Sequence, residues 1–171
     1  MVIKNRNNGN GPVIRVGRTA EGTAFEAAVA VLTVVMWGLI AWMWRHVPET
    51  IPTHFDITGQ PNGYGDRSDL IIMGIVATAV SVLLCAGAYR PTSGLNIPVR
   101  MRSAAQYAAG IRLMRIIALI TALMFVFIVL FIGFQGTAAG RFAGPAVAVS
   151  AVMMFAVIAF YTVKIYRMRS R

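Results

Sequence analysis

The sequence predicts an all-α membrane protein: a four-transmembrane-helix bundle with a structured extracytoplasmic loop between its first two helices. Three observations lead there. The chain is 57% hydrophobic and only 13% charged over 171 residues, whereas a soluble domain carries about twice that share of charge. Four charge-free apolar stretches, 27–44, 70–89, 116–134 and 145–163, each run 18 to 20 residues, long enough to cross about 30 Å of hydrocarbon at about 1.5 Å per residue. The cations are distributed unevenly between the two sides of these spans, as the positive-inside rule requires.

Thirteen of the 16 Lys and Arg residues fall before the first span, between the second and third, or after the fourth; Arg45, Arg67 and Arg141 fall on the other side. This asymmetry predicts that both termini are cytoplasmic. A net charge of +10 on a water-soluble domain would suggest nucleic acid, but no such domain has room here, so no nucleic-acid partner is expected. The single cysteine, Cys85, excludes an intramolecular disulfide and a multi-cysteine metal site.

The segment 1–24 is polar and rich in turn formers, and reads as a flexible arm or a weak hairpin ending in Val13-Ile14-Arg15-Val16. The first span lacks a small-x-small cleavage pattern and ends in Trp42-Met43-Trp44, so it is expected to remain as an anchor with its tryptophans at the outer headgroups. Tyr89, Tyr161 and Tyr166 fall near inner span ends. The loop 90–115 opens with Pro91 and Pro98, then becomes helix-friendly from Ser103, as an inward extension of the third helix or a segment along the headgroups. Pro145 is placed at the opening of the fourth span, where a missing amide donor costs little. The membrane domain is thus 25–166, followed by a basic tail, 167–171.

The loop between the first two spans carries the densest turn chemistry. Pro48 and Pro52 stiffen its exit from the first helix, 53–57 can form a short strand, and Pro61-Asn62-Gly63 reads as a turn. Asp66 or Ser68 can cap the second helix. His54 and Asp56, two apart on a strand, face one side. With His46 they make a poor zinc set, because no paired His motif or familiar ligand spacing accompanies them; no metal, cofactor or catalytic residue is expected. The plainer reading has His54 bonded to loop backbone and Phe55 packed on the mouth of the bundle.

The run from Ile51 to Gly65, Ile-Pro-Thr-His-Phe-Asp-Ile-Thr-Gly-Gln-Pro-Asn-Gly-Tyr-Gly, set directly between two spans, resembles an uncharacterised bacterial membrane-domain family. That domain also forms the N-terminal part of SdpI-type toxin-immunity proteins. Pro52, His54, Phe55 and Gly59 carry the likeness, Gly63 and Gly65 less so, and it is specific over about residues 25 to 90. The chain differs from the immunity proteins in having four spans and no second SdpI-like region.

The spans contain no Asp, Glu, Lys, Arg or His, which argues against autonomous ion or proton transport. Small residues instead recur at helix-packing spacing: Gly74 with Thr78, then Ala77, Ser81 and Cys85 on the second span, and Ala151, Ala156 and Ala159 on the fourth. Any such face left over by the bundle would dock another membrane protein. The functional expectation is therefore a non-enzymatic accessory or regulatory subunit of a larger membrane assembly such as a transporter. Its partner or ligand loop would use Pro52, His54, Phe55, Asp56, Gly59, Gly63 and Tyr64. Arg100, Arg102, Arg112 and Arg115 either fix topology or contact anionic lipid headgroups. The alternative is a stand-alone immunity-type or signalling receptor that recognises a toxin or peptide through the 51–65 loop.

Overall fold

A computed structural model describes residues 3–7, 12–56, 58–89 and 103–168. Strands β1 (Ile3–Asn7) and β2 (Pro12–Val16) pair as an antiparallel hairpin ahead of helix α1 (Ala20–His46). A second antiparallel pair, β3 (Thr50–Phe55) and β4 (Pro61–Asp66), leads into α2 (Asp69–Gly87), followed by α3 (Ala104–Gly133) and α4 (Ala138–Arg167). These four helices, among the described residues, are long and apolar enough to cross a membrane.

Local chemistry sets the helix ends, and three helices outrun the spans read from hydropathy. The Thr19 hydroxyl accepts from the Gly22 amide at 3.0 Å, which starts α1 well before residue 27 and brings Glu21 and Glu26 into the helix. Pro48 follows its end, since the residue before a proline is pushed to extended backbone. Ser103 and Gln106 form a reciprocal capping box, so the helix-friendly half of the second loop is an N-terminal extension of α3. That helix has 30 residues, about 45 Å of rise, more than a bilayer core needs. Arg100 and Arg102 lie outside the described residues.

Pro145 does not open its helix. The Thr137 hydroxyl accepts from the Gly140 amide at 3.3 Å and donates to the Phe134 carbonyl at 2.6 Å, so α4 begins at Ala138 and Pro145 lies inside it. The capping threonine, eight residues upstream of the apolar stretch, decides the boundary. A proline is tolerated within a membrane helix where neighbours re-satisfy the freed backbone.

The central helix is α3. The main core joins Met36, Ile40 and Met43 of α1, Ile51 of β3, Leu70 and Ala77 of α2, and Val126 and Val129 of α3. A second cluster joins Ala109 and Leu113 of α3 to Tyr161 and Ile165 of α4. At membrane depth the Trp37 indole donates to the Thr78 hydroxyl at 3.0 Å, and that hydroxyl donates to the Gly74 carbonyl at 2.7 Å. The polar atoms of the α1–α2 contact are thereby paired within the chain, as a water-free medium requires. Gly74 permits this approach, because a Cβ there would meet the Ile40 side chain at 2.9 Å and Trp37 at 3.1 Å.

Helix α4 packs principally along α3. In its most apolar stretch only 11% of residues are buried, against 33% for α3, which makes it the peripheral helix. The small residues read from sequence divide accordingly. Gly74, Ala77 and Ser81 of α2 are buried, with Cys85 half-buried. On α4 the buried positions are instead Gly140, Ala143, Ser150, Tyr161 and Ile165, while Ala156 and Ala159 are exposed and Ala151 is half-buried. The buried face of α4 is the one that meets α3.

Candidate functional site: the β3–β4 hairpin and the polar cluster at the opposite end

The hairpin is fixed to the bundle by its inward side chains. Ile51 is 2% exposed within the main core, and the Phe55 ring packs on Phe131 of α3 with centroids 4.6 Å apart. Arg67, just before α2, donates to the Trp44 carbonyl at 3.2 Å and stacks 4.7 Å over the Trp44 ring. The tip of α1 is held as well: Trp42 stacks on His46 at 4.3 Å and on Phe134 at 5.1 Å.

The reversal is at Asp56–Gln60, and Pro61-Asn62-Gly63 is not a turn but the start of β4. The side chain of Asp56 decides this. Its Oδ1 accepts from the Thr58 amide at 2.8 Å, the Thr58 hydroxyl at 2.6 Å and the Gln60 amide at 2.9 Å, while Gly59 supplies the positive φ of 81° that closes the turn. Gly63 is needed for a different reason: it lies opposite His54, and a Cβ there would meet His54 Cβ at 2.9 Å. The strand read over 53–57 is correspondingly earlier, Thr50–Phe55, and Ile57 lies outside the described residues.

The sequence-selected residues therefore separate into two sets. Phe55, Asp56 and Gly59 build the hairpin and its attachment, and Pro52 pairs with Tyr64 across the sheet. His54 and Tyr64 point outward; Tyr64 is 65% exposed. His54 is exposed and makes no hydrogen bond among the described residues, so the expected bond to loop backbone is absent. His46 is occupied by its own helix, its Nδ1 lying 2.7 Å from the Trp42 carbonyl. Among the described residues no three His, Cys, Asp or Glu side chains are grouped as a metal site would need. Behind the hairpin, a cavity of about 960 Å³ opens towards α3 and α4; Phe55, Asp56, Gln60, Gln135 and Arg141 are among its lining residues.

The Thr58 hydroxyl first, then the Gln60 amide, hold the Asp56 carboxyl below the usual carboxylate range. Ser68 does the same for Asp66 through its side chain and its amide, which donates to Asp66 Oδ1 at 2.7 Å. Asp66 thus serves the entry to α2, whose N-cap Ser68 makes no side-chain cap bond. Because the folded value of Asp56 lies below the unfolded one, its stabilising contribution is complete above the unfolded value and disappears as pH falls through the folded one. Asp56→Ala should accelerate hydrogen exchange at the Thr58 and Gln60 amides near neutral pH. Wild-type protein should lose that protection, measured against the intrinsic exchange rate at each pH, only in acid, below the ordinary carboxylate range; equal protection in the variant would contradict the turn assignment.

At the opposite end, the polar residues around the starts of α1 and α3 come together. Glu21 accepts from Arg112 Nε at 2.7 Å and Nη2 at 2.9 Å, and the Tyr89 hydroxyl donates to Glu26. Arg115, which the sequence places with the membrane-surface arginines, is only 6% exposed. Its Nη1 donates to the Thr19 hydroxyl at 3.4 Å and its guanidinium lies 5.9 Å from the Tyr89 ring centre. Among the described residues, Nε and Nη2 have no hydrogen-bond partner. Gly22 makes room for it, since a Cβ there would collide with the guanidinium. Reading by span hid this cluster, because Glu26 and Tyr89 fall at span edges; the i, i+3 spacing of Arg112 and Arg115 was the available signal.

One family model matches, described as a domain of unknown function (DUF1648), over residues 31–78. The match takes in α1 from Val31, the β3–β4 hairpin and α2 as far as Thr78; α3 and α4 lie outside it. No curated protein and no solved structure matches the chain.

Proposed function

We propose that this multi-pass chain has no catalytic activity of its own and acts by association, as an accessory or regulatory subunit of a larger assembly, such as a transporter, in a bacterial inner membrane. The observation that carries this reading is the outward face of α4. Val149, Val152, Phe155, Ala156, Ala159 and Phe160 are all exposed there, and small residues among larger apolar ones allow a second helix to approach closely. The hairpin adds a preorganised surface, its inner side chains locked and His54 and Tyr64 turned outward, which lowers the ordering cost of binding. The excess of cations at the end holding both termini supports a cytoplasmic location for those termini.

Purification of the tagged chain from its native membrane in mild detergent should recover a stoichiometric integral membrane partner, identified by mass spectrometry. Recovery of a monodisperse, folded chain alone would overturn the accessory reading. The second reading, an SdpI-like immunity or signalling receptor, is favoured by the cavity behind the hairpin and by Gln135, whose buried side-chain nitrogen lacks a partner beside it. A receptor of that kind would protect cells when expressed by itself.

A further inference from the structure

A cavity of about 520 Å³ lies where the starts of α1 and α3 meet the end of α4, away from the hairpin and from the exposed face of α4. Its polar lining consists of Thr19, Glu21, Arg112, Arg115, Tyr161 and Lys164. Three cations thus face one carboxylate, and that carboxylate is already engaged by Arg112. Lys164 is half-buried and lies 5.6 Å from the Tyr161 ring centre; among the described residues it has no carboxylate within salt-bridge distance.

Arg115 supplies the decisive imbalance. A guanidinium with 6% exposure that, among the described residues, has two nitrogens without hydrogen-bond partners and no carboxylate in salt-bridge distance is a buried charge in no ion pair, an arrangement that is costly unless compensated. The first turn of α1, capped by Thr19, adds the partial positive charge of a helix N-terminus to the same wall. Ala105, Ala108 and Ala109 leave the α3 side of the cavity open and apolar, which suits a group that carries hydrocarbon beside its charge.

We propose that this cavity binds a phosphate group through Arg115, Lys164 and the α1 N-terminus, supplied by an anionic lipid headgroup or by a free phosphate. The site is independent of any protein partner, so the purified full-length chain tests it. Delipidated protein in mild detergent would be titrated calorimetrically with short-chain phosphatidylglycerol, with phosphatidylcholine of equal chain length, and with inorganic phosphate. Saturable phosphatidylglycerol binding should weaken by about tenfold or more in Lys164→Gln, the worth of one charge-assisted hydrogen bond. It should weaken similarly in Ala108→Leu, which fills the cavity without altering charge. Preference for phosphatidylglycerol with no response to phosphate identifies the lipid as the source; comparable binding of inorganic phosphate identifies the free anion. Unchanged affinity in both folded variants, or phosphatidylglycerol bound no better than phosphatidylcholine with no response to phosphate, would overturn the proposal.

Discussion

Ala118→Glu should leave little folded protein after detergent extraction. Ala118 is completely buried where α3 meets Val29 of α1, with Leu84 and Cys85 of α2 against the same cluster. A carboxylate at membrane depth costs about 2.5–3.5 kcal/mol even on a helix able to adjust, and overpacking a close helix contact adds about 1–3 kcal/mol. Together these reach the lower end of the stability of a small domain, about 5–15 kcal/mol. Size-exclusion profiles and thermal unfolding would read the loss. The matched control is Ala156→Leu on the exposed face of α4, expected to change the stability of the isolated chain by less than about 0.5 kcal/mol. The same substitution should weaken association with a membrane partner, since it removes a small residue from the proposed contact. A stability loss in Ala156→Leu matching that of Ala118→Glu would place both alanines inside the bundle and contradict the peripheral position of α4.

That pair of alanines also shows what the sequence could and could not convey. Hydropathy located four membrane helices because an 18-residue charge-free run has few other uses, and small-residue spacing correctly found Gly74, Ala77 and Ser81 on the packing face of α2. On α4 the same spacing marks a face that the bundle leaves exposed at Ala156 and Ala159, because every side of that helix is apolar and only the choice of neighbour selects the buried one. Helix ends were misplaced where capping chemistry lay beyond the apolar run, as at Thr19 and Thr137. In the hairpin, the strongest turn signal, Pro61-Asn62-Gly63, yielded to Asp56, whose one carboxylate oxygen gathers three donors. Burial of Arg115 was illegible because it depends on Gly22, 93 residues earlier in the chain.

The hairpin offers the second large effect, because its two faces should respond oppositely. Ile51 is 2% exposed and joins Met43, Leu70 and Val129 in the main core. Ile51→Ala removes three buried carbons at a junction of α1, α2 and α3, with an expected cost of about 2–5 kcal/mol, depending on how far the site collapses. Thermal unfolding should fall by several degrees, and amide protection should be lost along β3 and β4 together, because their pairing depends on that anchor. A two-stranded hairpin without such support is marginal in water. Tyr64→Ala, on the outward face, should leave unfolding within about 0.5 kcal/mol of wild type, yet reduce capture of a partner or ligand that uses the hairpin. The discriminating result is the double contrast: stability lost with Ile51 and recognition lost with Tyr64. Were Tyr64→Ala instead to leave recognition intact in an otherwise native protein, the outward face would have no binding role, and the hairpin's function would be confined to bracing the adjoining ends of α1, α2 and α3.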